Sequence, residues 1–309
     1  MQTTHISFPA TDSVVLPGLL YEPDRKTQSI LIWLHGMSDS GVFYKPERIT
    51  SLADSLTKRG VALLAFNNRG AHNSKQLYKD DPSLGPAEQR YQGGTYYEKI
   101  ADCLFDIDGA AAFVASQDFT NLFLAGHSTG ANKICVYNSL AKANKFQKFV
   151  LAGPGDDLGL NYLHLGPKKY KQTLEYAKAA IANGSPTKTM PIYSGMHPFS
   201  AQSTVDLLQP NGLYNTFSYF EETNAQLGTK KLFNEYSSIS KPLLVVIGSD
   251  DGSVATAGGS AEALKILKHH TNIRIVDESD FKIIADTDHN FSGKANEFAE
   301  LIADWVCHG

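Results

Sequence analysis

Three groups that could act together on an acyl carbon stand far apart in this chain. Gly126-His127-Ser128-Thr129-Gly130 follows one apolar run and Asp250-Asp251 follows another. His289 lies in Asp286-Thr-Asp-His-Asn-Phe291, near the carboxyl end. A serine hydroxyl is a poor nucleophile at neutral pH and needs a base beside it. Histidine serves as that base when a carboxylate fixes its tautomer and stabilises its charged form. The pattern Gly-x-Ser-x-Gly suits a turn so tight that the residues two before and two after the serine must be small, which leaves the hydroxyl exposed on the turn.

The flanking segments supply the elements such a turn requires. Leu122-Phe-Leu-Ala125 reads as a buried parallel strand, apolar on both faces. Ala131 to Ala143 contains no Pro or Gly and places Ile134, Val136, Tyr137 and Leu140 on a helical stripe. Elsewhere strand-like and helix-like runs alternate, as in a parallel sheet with crossover helices. Strands are expected near 4–9 and 13–21, pairing antiparallel, then at 29–34 and 61–66. A helix from Pro46 to about Lys58 is stopped by Gly60. The polar stretch 71–97 reads as a long loop, followed by a helix near 98–117 and a strand at 149–152. From 156 to 238 the rhythm breaks, with a helix-like piece at 168–183 and many aromatics between Tyr193 and Phe233. It resumes with a strand at 242–247, a helix near 257–270, short strands near 273–276 and 281–285, and a last helix near 294–307. The expected organisation is a core of 1–155 and 239–309 with 156–238 inserted as a cap.

Composition narrows the class. Of 309 residues, 42% are apolar and 19% charged, which describes a globular chain with a substantial core. A net charge of −4 offers no general attraction for nucleic acid or an anionic membrane. The amino terminus lacks a basic start and a long apolar stretch, and no window approaches a membrane span, so a soluble, cytoplasmic protein is expected. The ten histidines are scattered, with one adjacent pair at 269–270 and no zinc-like spacing. The cysteines Cys103, Cys135 and Cys307 read as core or surface thiols.

Together the early His35-Gly36, the Asn67-Asn-Arg-Gly70 turn, Gly-His-Ser128-Thr-Gly, Gly-Ser-Asp-Asp251 and Asp-His289-Asn-Phe resemble the α/β-hydrolase superfamily in content and order. The resemblance covers nearly the whole chain outside 156–238. It implies an α/β fold with a mostly parallel central sheet flanked by helices, plus a helical cap insertion. It also implies hydrolysis through an acyl-enzyme. Ser128 would attack, His289 would shuttle the proton, and an aspartate would orient His289. The spacing Gly-x-x-Asp-x-x-Val254 resembles the superfamily's acid turn and favours Asp251 over Asp250, which would then organise the turn through an Asx-type bond. Backbone N–H groups of Met37 and Thr129 would hold the oxyanion. His35 is expected to be a turn residue. No metal or organic cofactor is implied. Gly-His-Ser-Thr-Gly and His197-Pro-Phe-Ser-Ala-Gln-Ser203 are also similar to a fungal group of siderophore-esterase-like hydrolases. Asn132-Lys133 and the shorter insertions depart from that group, so its substrate does not carry over.

The expected partner is a small-molecule ester. The elbow does not separate esters from thioesters or amides, since one tetrahedral chemistry serves all three. A silent ligand-binding fold and an acyltransferase are the alternatives. Tyr193, Phe199, Tyr214, Phe217, Tyr219 and Phe220 fit either a pocket for an apolar or aromatic acyl or alcohol group or the insertion's own core.

Overall fold

A computed structural model describes residues 1–43, 45–190 and 198–308. The readings that involved Tyr193 and His197 lie outside the described residues. The chain opens with β1 (Gln2–Pro9), β2 (Val15–Glu22) and β3 (Ser29–Leu34), then α1 (Pro46–Lys58) and β4 (Ala62–Phe66). A hairpin of β5 (Lys75–Tyr78) and β6 (Arg90–Gly93) precedes α2 (Cys103–Ser116). Next come β7 (Asn121–His127), α3 (Thr129–Leu140) and β8 (Lys148–Ala152). Four helices follow before the sheet resumes: α4 (Asp157–Ala182), α5 (Ala201–Leu208), α6 (Tyr219–Thr223) and α7 (Asn234–Ser237). The chain closes with β9 (Leu243–Gly248), α8 (Gly259–His270), β10 (Asp280–Ile284) and α9 (Ala295–His308).

Eight strands form one sheet in the order β1-β2-β4-β3-β7-β8-β9-β10. β2 runs antiparallel to both β1 and β4, and the remaining pairings are parallel. This is the α/β-hydrolase fold. The strand period of two divides each central strand between two cores. In β3, Ile30, Ile32 and Leu34 join the face packed by α2 and α3, while Leu31 and Trp33 join the face packed by α1 and α9. Both faces are covered, which explains why the central strands read as unbroken apolar runs.

The insertion between β8 and β9 has a small cluster of its own, Ala177, Ala180, Met190 and Ala201, but most of its buried aromatics pack elsewhere. Tyr170, Leu174, Tyr214, Phe217, Tyr219 and Phe233 belong to the same apolar cluster as Ile30 and Leu124 of the sheet. Tyr214, Phe217 and Tyr219 are buried and Phe199 is partly buried, so these aromatics pack the interior.

Three local expectations differ from the fold. Residues 273–275 form a turn leading into a short 3-10 helix at Val276–Glu278, because Asn272 caps the turn with bonds from Ile275 N and Arg274 N. The stretch 71–97 contains the β5–β6 hairpin, whose four-residue strands alternate too briefly to stand out in sequence. The helix expected at 168–183 is the second segment of α4, and the first segment, from Asp157 to Gly166, was not expected. Gly166-Pro167 is a break in the helix: Gly166 turns the chain at φ 72° and Pro167 begins the second helical segment directly.

Candidate active site

The turn that carries Ser128 is built by backbone close approach. β7 delivers Ser128 at φ 56°, ψ −126°, a strained conformation for a residue with a Cβ. Ser128 N donates to Ala152 O at 2.8 Å, and Ala131 N donates to Ser128 O at 2.8 Å, so both sides of the turn are pinned. A Cβ on Gly126 would stand 2.3 Å from Gly130 O, and one on Gly130 would stand 2.4 Å from Leu34 O. Only glycine fits at either position.

Two later turns meet beside it. His289 Nδ1 lies 3.0 Å from each carboxylate oxygen of Asp251. The Asp251 side chain is fully buried, while that of His289 is 25% exposed and so reachable from solvent. Burial alone would push the Asp251 carboxyl up. The hydrogen bonds from His289 and Ser253 outweigh it and hold the group below the usual carboxylate range. Ser253 Oγ donates to Asp251 Oδ1 at 2.6 Å and lies 3.0 Å from His289 Nδ1. Asp250 is exposed. The Asx-type bond expected of Asp250 is made by Asp251 instead, whose Oδ1 accepts Ser253 N at 2.8 Å.

Ser128 and His289 are brought close without a direct bond. The ring of His289 stands 4.8 Å, centroid to centroid, from that of His127, the residue before the serine. Among the described residues, no hydrogen bond joins Ser128 Oγ to His289. A Cβ on Gly153 would lie 3.1 Å from His289 Nδ1, so glycine there leaves room for the imidazole.

The segment carrying Met37 passes against the elbow, since a Cβ on Gly36 would lie 3.0 Å from Ser128 Cβ. Among the described residues, neither Met37 N–H nor Thr129 N–H donates a hydrogen bond. Thr129 follows the serine in the chain, and Met37 follows Gly36, which lies against it. Thr95 fixes the segment from the 71–97 loop: its hydroxyl accepts from Ser38 N at 2.9 Å and donates to Gly70 O at 3.1 Å. His35 is buried and structural. Its Nδ1–H donates to Gly36 O at 2.8 Å and its Nε2 accepts from Asn68 N at 3.2 Å, which fixes the neutral tautomer. Burial, with Lys133 nearby, lowers its pKa well below the ordinary value.

Sequence reasoning missed Ser253, Thr95 and the partners of His127. Ser253 could have been found from its place two residues after an acid at a strand end; Thr95 carries no local signal. Among the described residues, no three His, Cys, Asp or Glu side chains are grouped as a metal site would group them. No helix there is long and apolar enough to cross a membrane.

Comparison with known proteins places the chain. Residues 106–308, well over half its length, match a family described as proteins of unknown function, DUF1749. The chain belongs to this family. No curated protein sequence matches this DUF1749 chain. Several solved structures resemble it. The esterase Pf2001 of Pyrococcus furiosus is 16% identical with a TM-score of 0.58, over 99% of this chain and 90% of that one. Est1E of Butyrivibrio proteoclasticus is 14% identical with a TM-score of 0.59, over 98% and 97%. The α/β hydrolase GrgF of Penicillium sp. sh18 is 12% identical with a TM-score of 0.63, over 99% and 98%. What this DUF1749 protein shares with them is the fold.

Proposed function

We propose that this DUF1749 protein is a serine hydrolase that cleaves a carboxylic ester through an acyl-enzyme on Ser128. The observation that carries the reading is the double 3.0 Å contact of His289 Nδ1 with Asp251, at a turn that stands beside a strained, half-buried serine. With Nδ1–H held by the carboxylate, Nε2 is left unprotonated and available as a base. Ser128 Oγ would attack the acyl carbon while its proton passes to His289 Nε2. The Met37 and Thr129 N–H groups would stabilise the oxyanion. The alcohol would leave with that proton, and water, deprotonated by His289, would then release the acid.

Esters come first, with thioesters and amides as chemically adjacent substrates. Residues 156–238 would act as a cap that controls entry together with the 71–97 loop. The two are tied: Tyr96 O accepts from Ser200 N at 3.1 Å and from Ser203 Oγ at 2.8 Å. A small-molecule substrate met in the cytoplasm fits this arrangement. The lack of a Ser128–His289 bond favours a second reading, a ligand-binding fold that does not turn over.

One experiment separates them: intact-protein mass spectrometry after a fluorophosphonate probe, with peptide mapping. Labelling at Ser128 that disappears in His289→Ala supports the hydrolase. A folded protein that stays unlabelled overturns it in favour of the binding fold. Product analysis with a competing alcohol then distinguishes hydrolysis from acyl transfer.

A further inference from the structure

The residue before the serine does more than occupy a place in the turn. His127 is buried, and its Nε2 lies 2.7 Å from the carbonyl oxygen of His289. A carbonyl only accepts, so Nε2 carries the proton and Nδ1 carries the lone pair. Arg48 Nη1 donates to that lone pair at 3.4 Å. Arg48 in turn is buried, lies over the Trp33 ring at 5.6 Å, and donates from Nη2 to Asp39 Oδ2 at 3.2 Å. The same Asp39 oxygen accepts from Lys45 Nζ at 3.3 Å, and Lys45 Nζ also donates to Asn290 Oδ1 at 2.7 Å.

Two arms therefore leave one carboxylate. One reaches the backbone of residue 289 through Arg48 and His127, and the other reaches the side chain of residue 290 through Lys45. The loop they hold contains two non-glycine residues at positive φ, Asp286 at 53° and Phe291 at 56°. Such a loop needs external bonds to keep one geometry. The His127 ring also touches the turn before Met37, since a Cβ on Gly36 would lie 3.5 Å from its Nδ1. Protonating Nδ1 would set two donors against each other at Arg48, and burial together with the Arg48 charge holds the His127 pKa well below its ordinary value.

We infer that His127, oriented by Arg48 and Asp39, is a positioning residue that sets where His289 stands relative to Ser128. The inference rests on the hydrolase reading. His127 does not touch the reacting atoms; it acts through the carbonyl of His289.

The test compares His127→Gln with His127→Asn. Both substitutes are polar amides of a size the site accepts. Glutamine places its amide nitrogen three bonds from Cβ, as Nε2 is placed in histidine, whereas asparagine stops at the Nδ1 position and cannot reach His289 O. Two readouts are taken on each variant with the wild type beside it. One is amide hydrogen exchange across residues 286–292. The other is the rate of fluorophosphonate labelling at Ser128, with kcat and KM on any ester that wild type cleaves. The expected result is faster exchange in Asn than in Gln, at similar melting temperatures. Labelling rate and kcat should fall about tenfold or more in Asn with KM held within about threefold, and Gln should recover most of the loss. Equal rates in both variants, or equal losses, would overturn the proposal. A wild-type protein that is never labelled, with the exchange difference intact, defeats the hydrolase reading and leaves His127 a structural clamp only.

Discussion

The crevice-facing ends of the strands and the helical insertion solve different packing problems. At the strand ends backbone meets backbone: Gly126 against Gly130 O, Gly130 against Leu34 O, and Gly248 within 2.4 Å of Asp288 O for a would-be Cβ. No side chain of any size fits there. The insertion is held by side chains. Tyr162 sits 5.1 Å from both Tyr170 and Phe220, and Phe233 lies 5.7 Å from Tyr219. One buried carboxylate joins two of its helices, as Asp156 accepts from Gly159 N and Phe220 N, each at 2.7 Å. The difference teaches where each region is free to vary. The strand ends fix backbone geometry and tolerate almost nothing, whereas volume-conserving exchange among the insertion's aromatics comes at modest cost.

The sharpest way to break this contrast is at the serine. Ser128→Ala should abolish turnover by about 10⁴-fold or more with the circular dichroism spectrum and melting temperature unchanged. Substantial residual activity would show that the strained turn is not the reactive centre. The adjacent acids test the same region one residue apart. Asp251→Asn should lower kcat by about 10³-fold, because the amide offers His289 the wrong hydrogen-bond pattern, while exposed Asp250→Asn should stay within about twofold. The reverse ranking would move the role by one position.

Stability gives a smaller effect. Gly126→Ala should cost about 3 kcal/mol, since backbone must shift to admit the methyl group, and Phe217→Leu in the insertion should cost about 1.5 kcal/mol. Urea denaturation measures both, and equal costs would erase the distinction drawn here.

The two regions also differ in pH response. Burial raises the Asp156 carboxyl to about 7, with the Phe220 and Gly159 N–H bonds opposing. A raised folded pKa contributes stability below the unfolded value near 4 that is lost as pH rises through about 7. His35 and His127 have lowered folded pKa values, so the unfolded chain takes up their protons first and stability falls as pH drops below about 6.5. Hydrogen exchange followed by region should therefore show α4 and α6 loosening from pH 5 to pH 7.5. The strand-end turns should loosen in the opposite direction. Asp156→Asn should weaken the first trend, leaving the part due to Asp157, which burial raises to about 6, and should leave the second unchanged.

Much of the fold was legible because its signals are local. The strand at 29–34 and the helix at 46–58 begin and end where an apolar run, a proline and a following glycine put them. The strand expected at 273–276 was not, since Ile273 and Ile275 suggest alternation while Ile273 is 83% exposed and only Ile275 is buried. The Gly-x-Ser-x-Gly turn was equally plain as a pattern, although only Gly126 is required by a clash within five residues, with Gly130, whereas Gly130 is required by Leu34 of β3.

By itself, then, the sequence determined which groups are available and in what order, through periodicity and turn chemistry that act over a few residues. It favoured Asp251 over Asp250 but left open what the insertion's aromatics pack against, and that His127, Arg48, Ser253 and Thr95 hold the site. Several of those contacts join residues far apart in the chain, 36 positions for Ser253 with His289 and 162 for His127 with the carbonyl of His289. Only the closing of the parallel sheet, which gathers the ends of β3, β7, β8 and β9 at one edge, decides which of them meet.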